Sequence, residues 1–183
     1  MKLLAIIGMP ASGKGEAIGF FRENGFHVFS LGDGVREEAS SRGMEPNARN
    51  LAHLANHLRE KFGQGVWAER TAKKIEKSNY ENIILDGVRG PMELSTIENR
   101  ISQKASIIAI HASESTRHLR IMKRSRSDDT NNPEEIKARD DRELGYGLGE
   151  LISLAEFMVV NESSLAELRQ GLEQVYIRIN GEN

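Results

Sequence analysis

The chain has 183 residues, the length of one domain, and with 38% of them hydrophobic it can bury a core of its own, which excludes a disordered or fibrous chain. Lys and Arg number 25 against 27 Asp and Glu, so the net charge is −2 and a nucleic-acid partner is disfavoured without a local basic patch. Cysteine is absent, which excludes disulfides, thiolate metal sites and a cysteine nucleophile.

The first apolar run, residues 3–7, is too short for the core of a signal peptide or for a membrane span, and Gly8 and Pro10 interrupt it. It is read as a buried first strand, and the protein is expected to be cytoplasmic with no membrane partner. Further apolar runs at 27–30, 82–85, 106–111 and 157–160 alternate with longer amphipathic stretches. That alternation predicts βαβ units: an α/β fold of three layers, helices on both faces of a five-stranded parallel sheet. Pro91 and Pro133 fall where first helical turns are expected. Residues 31–81 separate the second and third runs, far more chain than one crossover helix needs. Helices at 34–41, 48–61 and 66–77 are predicted there, forming an arm over a site.

Directly after the first run comes Gly8-Met9-Pro10-Ala11-Ser12-Gly13-Lys14-Gly15, followed by an amphipathic stretch. This is GxxxxGK between a strand and a helix, the pattern of an ATP-binding phosphate loop. Glycines let the backbone amides turn toward phosphate oxygens, and the helix N-terminus adds partial positive charge. All eight residues are candidate ATP contacts, and Lys14, reaching the outer phosphates, is also a candidate catalytic residue. The usual motif ends in Ser or Thr, whose hydroxyl holds Mg²⁺; here Gly15 and then Glu16 follow. Mg²⁺ is therefore expected through water at Asp86 or Asp33. Glu16 either assists or simply sits well in a first helical turn.

Asp33 and Asp86 follow apolar runs, so both are expected at carboxyl ends of strands, beside the phosphate loop. Asp33 would orient or deprotonate an acceptor hydroxyl, the alternative being a helix N-cap. Asp86 would hold hydrated Mg²⁺, the alternative being a turn residue. Residues 117–126 hold five cations and no acid, and Arg117, Arg120 and Arg124 share a helical face. A solvated face is the usual account of such a run. The acids that follow (Asp128, Asp129, Glu134, Glu135) argue against a broad nucleic-acid surface, so a lid over ATP is favoured, hinged at Asn131-Asn132-Pro133. His53 and His57 have helical metal-ligand spacing but lack a third ligand, Trp67 is read as core of the arm, and Asn161-Glu162-Ser163 as a chance glycosylation pattern.

The loop resembles that of adenylate kinases, which also place Gly after the Lys. Ser30-Leu31-Gly32-Asp33-Gly34-Val35-Arg36 is similar to the S-T-G-D-x-L-R segment of that family, and Leu85-Asp86-Gly87-Val88-Arg89 resembles its L-D-G-F-P-R segment, one residue shorter. Further on, Arg120, Arg124, an acid-rich spacer and Arg139 resemble the lid of dephospho-CoA kinases. Residues 155–161, with Ser164, Leu165 and Leu168, look like their last strand and closing helix. Taken whole, residues 1–175 resemble an uncharacterised archaeal family of P-loop kinases related to both.

The resemblance implies a nucleoside-monophosphate-kinase-like fold with a core (1–36, 81–116, 144–183), a helical acceptor arm (37–80) and a lid (117–143). It places Arg120, Arg139 and Asn161 with ATP, Arg120 and Arg124 over the transition state, and Arg36 and Arg89, beside Asp33, on the acceptor. Four residues after Arg89, where adenylate kinases carry a Gln that reads the adenine of AMP, stands Glu93, which cannot donate to the ring nitrogen. AMP is weakened as acceptor, and a dephospho-CoA-like one fits the later motifs better. The reading is an ATP- and Mg²⁺-dependent kinase of a small phosphate- or hydroxyl-bearing metabolite, either nucleotide-like or a CoA precursor. Its rivals are an ATP-hydrolysing switch or assembly factor contacting RNA or protein, and a nucleotide binder without turnover.

Overall fold

The computed structural model describes residues 1–124 and 132–181. Five strands, β1 (Lys2–Ile7), β2 (His27–Ser30), β3 (Asn82–Asp86), β4 (Ser106–His111) and β5 (Phe157–Val160), form one sheet in the order β2-β3-β1-β4-β5. Every pairing is parallel, with Leu3 opposite Ile83, Ala5 opposite Ile107 and Ile108 opposite Phe157. The sheet is the expected one, and its strands depart from the apolar runs only at Lys2, which joins β1, and Asp86, which closes β3.

β1 lies at the centre, so both its faces must be apolar, and Leu3 through Ile7 are buried without a break. Leu3, Ala5 and Ile7 point to one core with Ile83, Leu85 and Ala109; Leu4 and Ile6 point to the other with Ile84, Ile108 and Ile110. The second core is closed by Phe20 and Phe21 of α1 (Lys14–Glu23) and by Leu168 and Leu172 of α9 (Leu165–Gly181). The first is closed by α2 (Leu31–Ser41), α3 (Ala48–Phe62), α4 (Val66–Glu76), α5 (Pro91–Ile101) and α8 (Leu148–Ser153). Each fully buried Leu or Ile contributes about 1.5–3 kcal/mol, so these two layers fix the sheet. Helices α6 (Glu114–Lys123) and α7 (Pro133–Gly145) complete the described chain, and none of the described helices is long and apolar enough to cross a membrane.

Three helices occupy the long β2–β3 connection, as its length requires, but α2 starts at Leu31 with no intervening turn. Asp33 is therefore neither at a strand end nor an N-cap. It lies in the first turn of α2, where the helix dipole favours a carboxylate, and Ser30 holds the N-cap position. Trp67 is core, as expected: it is buried under α4, and its indole N–H donates to the Ala55 carbonyl of α3 at 3.2 Å. His53 and His57 lie parallel on α3, and no cluster of three metal-ligating side chains occurs among the described residues.

Helices α2 and α4 are joined by Glu38, which accepts from Arg70 at 2.5 Å and from Arg42 at 2.7 Å. Arg70, and then Arg42, hold its carboxyl below the usual range of 4.5. A lowered folded-state pKa means that this contribution is present above about pH 4.5 and is lost as acid protonates the carboxyl. In urea unfolding from about pH 6 downward, the wild type is expected to lose stability more steeply than Glu38→Gln. Parallel curves would show that the carboxylate does not stabilise the fold.

Candidate functional site

The phosphate loop leaves β1 at Gly8, whose φ is +155°; a Cβ there would lie 2.5 Å from the Ile110 carbonyl oxygen and 2.5 Å from Ser12 Oγ. Gly13, at φ +107°, is the more restrictive position, since a Cβ would come within 2.2 Å of Asn161 Nδ2. Ala11 also has a positive φ, 62°, a strain on the order of 1–2 kcal/mol for an L-residue. Both glycines of GxxxxGK are thus required by close approach as well as by dihedral angle.

The rear of the loop is bound at three successive carbonyls. Arg117 Nη1 donates to Pro10 O at 3.3 Å, Arg120 Nη1 to Ala11 O at 3.5 Å, and Asn161 Nδ2 to Ser12 O at 2.8 Å. In a trans peptide the N–H opposes the C=O, so the amides of Ala11 and Gly13 are turned away from Arg117 and Asn161. Ser12 Oγ is buried there with no hydrogen-bond partner, and Lys14, half-buried, makes no ion pair among the described residues. Inward amides, an orphan hydroxyl, a free ammonium and a helix N-terminus fit the phosphates of ATP.

Arg120 also donates to the Asn161 carbonyl at 3.0 Å, so Asn161 and Arg120 form one brace behind the loop. Glu162, next in line, accepts from Thr116 Oγ1 at 2.6 Å and from the Ser113 N–H. Those bonds, the Thr116 hydroxyl first, hold its carboxyl below the usual value. Arg124 follows the last turn of α6, and Arg139 lies in α7. Of the expected hinge, Asn132 caps α7 by accepting from the Glu134 N–H at 2.9 Å and Pro133 occupies its first position; Asn131, like Arg126, Asp128 and Asp129, lies outside the described residues.

Asp86 ends β3 beside β1 and accepts from the Ser30 hydroxyl at 3.1 Å, which leaves lone pairs for waters. One carboxylate with waters and phosphates is how Mg²⁺ is commonly held, so Asp86 fits the role. A Cβ at Gly15 would meet open space, so nothing steric forbids the hydroxyl residue usual there. Asp33 pairs with Arg36 at 2.6 Å, both more than half exposed, on the turn of α2 that faces the β3–α5 connection.

Arg89 pairs with Glu143 at 3.3 Å, and its guanidinium lies 5.4 Å from the centre of the Tyr146 ring. The Arg59 guanidinium is 5.2 Å from the same ring, and the Tyr146 hydroxyl donates to Asn56 Oδ1 at 3.1 Å. Glu93 has both oxygens committed: Oε1 accepts from Arg59 at 3.2 Å and Oε2 from the Arg89 backbone N–H at 2.9 Å. It is a buried structural carboxylate and not a group left open to read a base. Sequence reasoning missed Arg59, Tyr146, Glu143 and Asp140 altogether, because each acts on a partner far away in the chain.

A phosphate loop after the first strand of a parallel sheet ordered β2-β3-β1-β4-β5 defines a P-loop NTPase of kinase-like fold. A family model described as an AAA domain matches residues 7–137. The chain is 43% identical over 180 residues to a UPF0200 protein of Hyperthermus butylicus, covering 98% of this chain and 96% of that protein. To a UPF0200 protein of Methanoculleus marisnigri it is 39% identical over 181 residues, with 99% and 98% covered. It belongs to the archaeal UPF0200 family. Among solved structures it is similar to TT1252 from Thermus thermophilus, with a TM-score of 0.66 at 20% identity over 97% of both chains. It is also similar to a shikimate kinase from Acinetobacter baumannii in complex with shikimate, with a TM-score of 0.58 at 10% identity over 99% of this chain and 94% of that one. These two likenesses establish the fold, and with it the expected α/β class.

Proposed function

We propose that the chain is an ATP-dependent phosphotransferase acting on a small phosphate- or hydroxyl-bearing acceptor, nucleotide-like or a CoA precursor. The observation that carries this reading is a second set of charged groups at the carboxyl edge of the sheet from which the phosphate loop at residues 8–15 also leaves: Asp33 and Arg36 in the first turns of α2, Asp86 closing β3 and Arg89 just after it. A site for hydrolysis alone has no use for the second set. Core, arm and lid, as divided from the sequence, belong to the same reading.

Phosphoryl transfer needs in-line placement and positive charge around the moving group more than covalent help. Lys14 and the loop amides hold the phosphates of ATP, and Arg120 keeps the loop in shape while lending charge behind it. Arg124 and Arg139 complete the lid over the transition state. Mg²⁺, held through water at Asp86, would neutralise charge on the phosphates. Arg36 and Arg89 position the acceptor with its oxygen facing the γ-phosphorus. As that oxygen bonds to phosphorus and the bond to ADP breaks, Asp33 takes the proton of a hydroxyl acceptor. With both Glu93 oxygens occupied, AMP read at that position is disfavoured, and a dephospho-CoA-like acceptor heads the candidates.

ADP release should be followed with Mg-ATP alone, then with dephospho-CoA, AMP, other nucleoside monophosphates, shikimate and RNA. Release is expected to depend on one small acceptor and to fall about 10²–10³-fold in Lys14→Ala. Release that follows RNA alone would replace the kinase with a nucleotide-driven switch, and no release under any condition would leave a nucleotide binder.

A further inference from the structure

We infer that Arg117 and Asp140 are positioning residues of the phosphate loop, and that through them helix α7 is fastened to the loop's rear. The inference rests on the reading that residues 8–15 bind the phosphates of ATP.

Arg117 belongs to a run of cations that ordinarily makes a solvated face, yet its side chain is only 6% exposed. Its guanidinium meets Asp140 fork to fork, Nη1 to Oδ1 at 2.9 Å and Nη2 to Oδ2 at 2.7 Å. Nη1 also donates to the Pro10 carbonyl. His118 Nε2 lies 3.3 Å from the same Oδ2, with Glu114 beyond it at 3.9 Å. Desolvation offsets most of the attraction in a buried ion pair, and an apolar pair of the same volume would join α6 to α7 as well. An apolar pair could not donate to Pro10 O. The planar fork, fixed by Asp140, aims one N–H at that carbonyl and so sets the Pro10–Ala11 peptide.

Arg120 and Asn161 repeat the action at Ala11 and Ser12, but both reach the loop from α6 and from the end of β5. Arg117 ties it to α7 through Asp140, which Arg139 precedes in the chain. A displacement of α7 is therefore felt at the first inward amide of the loop.

Wild type, Arg117→Met, Arg117→Lys and Asp140→Asn should be titrated by calorimetry with tripolyphosphate, which carries phosphates and nothing else, and with ATP. Arg117→Met, which removes the charged donor, and Asp140→Asn, which removes the charge that aims it, are expected to weaken both ligands about tenfold or more, and Arg117→Lys to recover part of the loss. Ile75→Ala, which removes buried volume under α4, serves as the stability control: it should melt lower and bind like wild type. A folded Arg117→Met or Asp140→Asn that binds tripolyphosphate within twofold of wild type would overturn the inference. If Arg117→Met does not fold, Asp140→Asn and Arg117→Lys decide by the same criterion. Wild-type protein that bound neither ligand would overturn the nucleotide reading along with the inference, whereas binding that the variants leave intact overturns the inference alone.

Discussion

Gly13→Ala is expected to lose measurable ATP binding and to unfold at lower urea than the wild type. The backbone there sits at φ +107°, and the new Cβ would lie 2.2 Å from Asn161 Nδ2. Asn161 is nearly buried and cannot turn aside without dropping its bond to the Ser12 carbonyl and its contact with Arg120. Backbone strain costs about 1–3 kcal/mol and an orphaned buried carbonyl about 1–3 kcal/mol more. The loss is thus on the order of 2–6 kcal/mol, concentrated where phosphate would bind. Gly15→Ala is the matched comparison, for its Cβ meets open space inside a helix. It should be neutral or stabilise by about 0.5–1 kcal/mol. Equal behaviour of the two variants, in unfolding and in ATP titration, would mean that the loop does not have this shape.

The second large effect is expected at Glu93→Ala. Arg59 and Glu93 are each only 8% exposed, and Glu93 is the countercharge that keeps Arg59 buried. Removing it leaves a buried guanidinium whose remaining partner among the described residues is the Tyr146 ring, at a cost of about 3–5 kcal/mol. Glu93→Ala also frees the Arg89 backbone N–H, so acceptor-dependent turnover should suffer beyond what stability explains. The double replacement Arg59→Met with Glu93→Leu should regain much of the stability while leaving the Arg89 N–H unbound. By contrast, Lys74 and Glu37 form an ion pair across exposed surface, and Glu37→Ala should cost less than about 1 kcal/mol. Urea unfolding of the three variants ranks them; a Glu93→Ala protein as stable as Glu37→Ala would show that the buried pair does not form.

These two predictions rest on very different amounts of sequence information. The glycines of residues 8–15 are legible because a phosphate loop demands them at fixed spacing, whatever surrounds it. The sheet is legible for a similar reason: strands covered on both faces must be apolar throughout, so runs such as 106–111 declare both their type and their ends. The start of α2 was harder. Residues 31–33 read locally as loop before a helix from Gly34, yet the helix begins at Leu31, and Asp33 moves from a strand end into a helical turn. There tertiary packing of Leu31 and of Gly34 against Trp67 outweighs local propensity.

Long-range pairing is what local pattern does not carry. Arg117, Arg120 and Arg124 look alike at helical spacing, and only Asp140, twenty-three residues on, distinguishes the buried one. Glu93 stands where the adenylate-kinase resemblance expects a base reader, but Arg59, thirty-four residues earlier, takes up its carboxylate. The resemblance supplies candidate positions around the phosphates and is silent about which side chains the scaffold itself consumes.

The brace behind the loop has a consequence for how the protein is made. Residues 8–13 leave the ribosome early, but the groups that shape them are residues 117, 120, 140 and 161. The central strand likewise waits for β3 and β4 to flank it. A nascent chain therefore displays the whole loop motif long before the groups that brace it have been made, the last of them arriving with the end of β5. A chain that ends before residue 161 therefore carries the whole motif but lacks the Asn161 amide that holds the Ser12 carbonyl, and it is expected to leave the loop unshaped.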